Sequence, residues 1–332
     1  MSGVSKAIVQ PLLSWYDAGH RDLPWRSEPA PYRVWVSEIM LQQTRVEAVR
    51  GYFSRWMNAL PDIPALAAAD EAVYTKLWEG LGYYSRVRNL HRAAVLLCEE
   101  YGGELPADYD RLLALPGVGE YTAGAVASIA FGLPVPAVDG NVLRVAARLD
   151  NDFTPITDAK FKKQTRERFA ALMPSDRPGD LNQSLMELGA TVCLPNGAPH
   201  CDDCPIQHLC EGFHRGNAAV LPLRAAKKAR RVENRTVLVV RCGQLVGLRQ
   251  RPKKGLLAGL WELPSLDGHL SPDELRAALT EMGWSVRKLL SLRPAKHIFT
   301  HVEWHMTGYY IRCRRAAEPF TWAGPQQLEG EI

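Results

Sequence analysis

The chain has 332 residues, is 46% apolar and 23% charged, and carries a formal net charge of +4. That composition excludes a disordered or fibrous chain, and no apolar run of about 18 residues marks a membrane span. The mild basic balance permits a nucleic-acid partner without requiring one.

Residues 1–212 read as mostly helical. Trp35, Val36, Ile39, Met40, Val46 and Val49 fall at helical spacing and predict one helix over 32–49. Asp70 is placed to cap a helix that Gly80 and Gly82 stop. A further helix runs from Tyr83 to the paired glycines Gly102 and Gly103, and a short one over 108–115 ends at Pro116. Residues 121–131, rich in small side chains that let neighbouring helices pack closely, start the next. Residues 213–232 read as a basic, core-free linker; a solvated connector is the plainer reading, DNA contact the second. Beyond it come a strand, a Cys-Gly turn and a strand over 236–251. A helix over 271–283 has Ser271 as cap, and 303–314 alternates like a strand. The length and this change of texture predict two domains, 1–212 helical and 233–332 α+β.

Four local patterns carry chemistry. In "LPGVGEY" (115–121), Gly117 and Gly119 lie between two helices, the sequence form of a helix-hairpin-helix. Backbone N–H groups at the second helix's start, with its dipole, make an anion site; an ordinary helix–helix turn fits the same residues. Asp139 stands just before a helix, beside Gly140 and Asn141. It is either a plain N-cap or a carboxylate whose pKa the N–H groups and dipole lower, keeping it ionised to stabilise positive charge on a substrate. Glu38 has Val34, Trp35, Leu41 and Gln42 as its i±3 and i±4 neighbours. Such an apolar setting raises a carboxyl pKa and suits a general acid; an exposed surface glutamate fits the spacing too. Cys193, Cys201, Cys204 and Cys210 crowd into 18 residues, while Cys98, Cys242 and Cys313 are scattered. This suits a reduced compartment and one metal site, either zinc or iron–sulfur.

Together these segments resemble the MutY-type adenine DNA glycosylases of the helix-hairpin-helix superfamily. The motifs are "PWR" (24–26), "VSEIMLQQT" (36–44), "GLGYYSRVRNL" (80–90), "LPGVGEYTAGA" (115–125), "VDGNV" (138–142), "LNQSLMELG" (181–189) and the cysteine cluster, in family order. The resemblance implies a mainly α catalytic region of two helical subdomains with an iron–sulfur loop, then an α+β Nudix-like domain. It implies a monofunctional enzyme of base excision repair, which removes adenine mispaired with 8-oxoguanine or guanine in double-stranded DNA once the base leaves the stack. Glu38 would protonate adenine N7, and Asp139, with Asn141 beside it, would stabilise the sugar's oxocarbenium character. Tyr121 replaces the lysine with which strand-cutting relatives form a Schiff base, and it would lie against the reacting nucleoside. Leu143 stands where many members carry another lysine. Gln43 and Tyr83 match residues that wedge beside the oxidised guanine, with Thr44 near the same base. Trp25, Arg26 and Gln183 match residues lining the adenine pocket. The four clustered cysteines would hold a [4Fe–4S] cluster, zinc being the alternative, although seven residues rather than the family's six fill the first gap. The cluster would order a loop against phosphates, with His200 and His208 as candidate contacts.

In the second domain, Phe299-Thr300-His301 matches the Phe-Ser-His loop with which the family reads oxidised guanine. Of the acids that hold magnesium in a working Nudix helix, only Glu281 stands in place; Ala277 and Thr280 occupy other positions. The resemblance therefore implies a reader rather than a nucleotide hydrolase. A thymine-glycol-type glycosylase and lyase is a second reading, opposed by Tyr121 and the added domain. A non-catalytic DNA-binding module with a structural metal is a third, opposed by Glu38 and Asp139. The expected molecule is a monomer in the cytoplasm, on the nucleoid, without secretion signal or membrane contact.

Overall fold

A computed structural model describes residues 5–223, 229–284, 286–313 and 318–330. The chain divides into two units, Met1–Ala226 and Lys227–Ile332. The first is built from α1 (Val9–Gly19), α2 (Pro31–Leu41), α3 (Val46–Ala59), α4 (Ile63–Ala67), α5 (Glu71–Leu77), α6 (Ser85–Tyr101), α7 (Tyr109–Leu113), α8 (Glu120–Phe131), α9 (Gly140–Leu149), α10 (Ala159–Ala170), α11 (Pro178–Thr191) and α12 (Glu211–His214). Local chemistry sets several starts. Pro31 at the first turn of α2 has its φ preset for a helix. Asp62, Asp108 and Asp158 cap α4, α7 and α10 through their carboxylates. Asp70 occupies the cap position of α5 but makes no side-chain cap bond.

Two cores form two lobes. Residues of α2 to α8, with Trp35, Phe53, Trp56 and Trp78 fully buried, fill the first. The second joins α1 to α9, α10 and α11, around Phe161, Phe169 and Leu185. The chain thus leaves the second lobe after α1, builds the first, and returns with α9. Where α8 meets the returning segment, the absence of a side chain at Gly124 matters: a Cβ there would collide with the Pro136 carbonyl oxygen.

The single helix expected over 32–49 is interrupted. α2 ends at Leu41 and α3 starts at Val46, with Gln43 left-handed at φ 59°. Neither glycine nor proline marks the break; the carbonyls at the end of α2 are instead taken by Arg86 from α6. The region beyond 212 also differs from a core-free linker. Leu221 is buried, its carbonyl accepting from Arg148 Nε at 2.9 Å, and the Leu223 carbonyl accepts from Ile156 N at 3.1 Å. The first unit therefore runs past 212, to Ala226, while β1 of the second begins at Arg231. Residues 224–228, in the heart of the basic stretch, lie outside the described residues.

The second unit carries β1 (Arg231–Cys242), β2 (Leu245–Gln250), β3 (Trp261–Glu262), β4 (Ser265–Asp267), α13 (Pro272–Glu281), β5 (Val286–Ile298), β6 (Val302–Cys313), β7 (Thr321–Ala323) and α14 (Pro325–Gly330). The sheet order is β3-β2-β1-β6-β5, with β4 also on β1 and β7 on β2. β1 and β6 pair in parallel, Val237 opposite Gly308; the other pairs are antiparallel. Ser271 and Glu274 close a capping box on α13, which buries Leu275 and Leu279 against the sheet.

Candidate functional site

Between the two lobes of the first unit opens a cleft of about 1790 Å³, counting its solvent-filled mouth. Glu38 and Thr44 border it from α2 and the turn after it, Tyr121 from α8, Asp139 and Asn141 from the start of α9, and Glu187 from α11. Two carboxyl groups 101 positions apart in sequence (139 − 38) therefore face one space.

Glu38 is 5% exposed, so the surface reading is excluded. Burial pushes its pKa up to about 7. The Tyr121 hydrogen bond and the Arg26 charge pull it down, and the Asp139 charge pushes it up. The Tyr121 hydroxyl donates to Glu38 Oε2 at 2.5 Å and lies 3.6 Å from Met186 Sδ. Burial, followed by the charges of Glu38 and Asp139, holds the phenol well above its usual range, so it stays a donor.

Asp139 is both a helix cap and a cleft residue. Its Oδ1 accepts from the backbone N–H groups of Asn141 and Val142, each at 2.8 Å, and Oδ2 from Asn141 Nδ2 at 2.7 Å. The expected lowering of its pKa is not found. Burial outweighs these donors and the nearby Arg144, and the pKa is raised. What survives is a contrast in partners: three N–H donors stabilise the ionised form of Asp139, while a lone phenol faces Glu38.

Several supporting residues were not singled out from sequence. Glu187, 2% exposed, accepts from Arg21 Nε at 2.7 Å and Arg26 Nη2 at 2.8 Å. Burial works against its ionisation, but these two partners hold its pKa below the usual carboxylate range. An acid four residues after Gln183, set between Leu185 and Leu188, is the signal that was available. Arg26 thus reaches the site through Glu187, whereas Trp25 is core, edge-on to Phe53. Gln183 is half-buried on α11 and does not border the cleft. Asn182 beside it bonds Ser128 Oγ, Val135 O and Ala137 N, fixing the segment that leads to Asp139. Arg144 donates to Asn141 Oδ1 at 2.7 Å, Gly189 O at 2.6 Å and Cys193 O at 2.7 Å. On α9 it shares the polar face with Asn141 and Arg148, so nothing in the sequence marked it as buried.

The two glycines of the turn differ in conformation. Gly117 has φ 78°, a left-handed conformation, and a Cβ there would meet Asn89 at 2.6 Å. Gly119 is extended, starts α8 and has open space over it, at the cleft border. Gln43 and Thr44 border the same cleft; Tyr83, 48% exposed with φ 48°, does not.

The four clustered cysteines line one separate cavity with Val145, Leu149 and other apolar side chains. Arg148 Nη1 donates to Cys193 Sγ at 3.1 Å. Burial pushes Cys204 up to about 12, and the other three thiols add to the rise. Four thiols gathered on one cavity suit a cationic group that draws off their protons. Among the described residues, no three Cys, His, Asp or Glu side chains gather as a site for a single ion. His200 borders this cavity and His208 is exposed.

In the second unit, Phe299, Thr300 and His301 form the tip between β5 and β6, closed by Phe299 N donating to Val302 O at 2.8 Å. The Phe299 ring packs edge-on to Trp304 at 4.9 Å, while Thr300 and His301 are exposed. Among the described residues no helix is long and apolar enough to cross a membrane.

Comparison with known proteins places this geometry. A family model for "HhH-GPD superfamily base excision DNA repair protein" matches residues 36–172, and a NUDIX domain model matches 236–331. The chain is 40% identical to the adenine DNA glycosylase of Mus musculus, over 88% of this chain and 68% of that one. It is 41% identical to that of Mycolicibacterium smegmatis, over 69% of this chain and 79% of that one. Among solved structures it is similar to a thermostable thymine-DNA glycosylase, with TM-score 0.56 and 27% identity over 63% of this chain and 96% of the other. It is also similar to endonuclease III in a trapped covalent complex with DNA, with TM-score 0.53 and 25% identity over 64% and 98%.

Proposed function

Because the chain belongs to the adenine DNA glycosylases of the helix-hairpin-helix base-excision superfamily, and is therefore an enzyme that hydrolyses N-glycosyl bonds in DNA, we propose that it removes adenine mispaired with 8-oxoguanine, or with guanine, from double-stranded DNA. The observation that carries this is the pair of carboxyl groups bordering one cleft with unlike partners. An extruded adenosine enters between the lobes. Glu38, protonated near neutrality, gives its proton to adenine N7. The C1′–N9 bond then breaks and its electron pair leaves with the base. Asp139, fixed by three N–H donors, faces the positive charge left on the sugar. Water adds at C1′ and passes its proton to the Glu38 carboxylate, giving an abasic site and restoring the acid. Tyr121 offers no amine, so the path is hydrolytic, without a Schiff base.

Gln43, Tyr83 and Thr44 are assigned to the opposite base, and the Gly117–Gly119 turn to a phosphate. Cys193, Cys201, Cys204 and Cys210 are assigned to a [4Fe–4S] cluster; bound, it would supply the charge under which four thiols ionise, and fasten the 193–210 loop. The Phe299-Thr300-His301 tip is assigned to reading oxidised guanine. The enzyme acts as a monomer on DNA in the cytoplasm. The test is single-turnover excision on duplexes with adenine opposite either guanine form. Adenine release, faster opposite 8-oxoguanine, supports the reading, with His301→Ala narrowing the preference. No release from either duplex rejects it.

A further inference from the structure

Arg86 is a buried cation whose hydrogen-bond partners among the described residues are all uncharged oxygens. Its Nη1 donates to the carbonyls of Ile39 at 2.9 Å, Met40 at 3.0 Å and Gln42 at 2.5 Å. Its Nη2 donates to the carbonyls of Leu81 at 3.0 Å and Gly82 at 3.1 Å, and reaches Thr44 Oγ1 at 3.4 Å. The guanidinium lies 5.1 Å from the Trp78 ring centroid and 5.7 Å from that of Tyr83. One planar fork thus holds two loops that are otherwise far apart in sequence. Each loop carries a non-glycine residue in left-handed backbone, Gln43 at φ 59° and Tyr83 at φ 48°. Such conformations persist only where the surroundings over-determine them. The favourable electrostatics come from the carbonyl end of α2, whose dipole welcomes a cation. A lysine ammonium is a point charge and cannot span both loops with the same planar set of donors.

The Ile39 and Met40 carbonyls lie one and two residues beyond Glu38 on the same helix. We infer that Arg86 is a positioning residue that joins the Gln43 and Tyr83 loops to the end of α2, so that the fit of the opposite base against these loops sets the placement of Glu38. This rests on the reading that the two loops meet the base opposite adenine. It deepens that reading by naming what couples recognition of one strand to chemistry on the other. Arg86 touches neither base; it acts through the loops.

The experiment uses the full chain and two duplexes, adenine opposite 8-oxoguanine and adenine opposite guanine, under single turnover. For Arg86→Lys, the rate on the oxidised duplex is expected to fall about tenfold and on the plain duplex less than about threefold, a loss of coupling rather than of acid strength. Adding Tyr83→Ala to Arg86→Lys costs little more, because the coupling is already gone. Arg86→Lys that slows both duplexes in equal proportion, or neither, shows a plain structural clamp and overturns the inference. A second cycle keeps Arg86 and so survives any folding defect of its variants. Gln43→Ala and Tyr83→Ala are expected to be non-additive in the ratio of the two rates, and strict additivity overturns a joined block. An unmodified chain that releases no adenine rejects the functional reading itself; one that releases it, with variants behaving as a plain clamp, rejects this inference alone.

Discussion

The Tyr121 hydroxyl and Glu38 Oε2 share a 2.5 Å hydrogen bond within the first lobe, at the border of the cleft. This bond opposes burial, the larger effect, which lifts Glu38 to about 7. A carboxylic acid poised there is half protonated at neutral pH, the condition for a general acid.

Excision therefore falls as pH rises through 7, about tenfold per unit on the alkaline side, because only protonated Glu38 can donate. Glu38→Gln removes that limb and lowers the single-turnover rate by about 10²–10⁴-fold, with duplex affinity kept. A pH profile of both proteins checks this, and an alkaline limb surviving in the glutamine variant counts against the assignment.

Tyr121→Phe removes the hydrogen bond that lowers the Glu38 pKa and keeps the ring. The alkaline limb moves to higher pH, the direction set by the loss of a lowering interaction. The same pH profile measures it; a limb that stays in place or moves down rejects the role of the phenol.

The raised pKa also has a sign in stability. In the folded chain Glu38 titrates at about 7 rather than its ordinary 4.5, so the fold binds more protons there than the unfolded chain does. Its favourable contribution is full below about 4.5 and lost as pH rises through 7, amounting to at most about 3 kcal/mol. Glu38→Gln should raise the melting temperature more at pH 8 than at pH 5, read by thermal unfolding at the two values. An equal gain at both would show that burial does not shift this group.

Asp139→Asn keeps an oxygen that can accept from Asn141 N and Val142 N, and loses the charge. Excision is expected to drop by at least about a hundredfold, while melting changes by under about 1 kcal/mol. Single-turnover kinetics beside thermal unfolding separates the two effects.

Arg144→Met leaves the Gly189 and Cys193 carbonyls and Asn141 Oδ1 without their donor. Stability falls by about 2–4 kcal/mol, and excision falls with it as Asn141 loosens from Asp139. Denaturant unfolding gives the first number and initial rates the second.

What sequence could disclose depended on how far away the partners lie. Asp139 was legible as a cap because its donors, Asn141 and Val142, lie only two and three residues on. The direction of its pKa was not, since burial comes from elements distant in sequence. Glu38 was ambiguous for the same reason: Tyr121, its partner, lies 83 residues on. The break at 42–45 had no local sign because Arg86, which takes the α2 carbonyls, lies 44 residues beyond Gln42. Strand β5 went unread; basic residues and Pro294 mask its alternation, and the register shifts between Leu292 and Ala295. The cysteine cluster was visible as spacing alone, and the structure adds its common cavity.

Asp139 fastens the first turn of a helix with the same oxygens that face the cleft. Most replacements would cost that turn its cap, about 0.5–2 kcal/mol, along with the charge. Asparagine, one nucleotide change away, would leave an intact body that still settles on DNA and does nothing. Such a variant would pass every check on folding and fail only where turnover is counted.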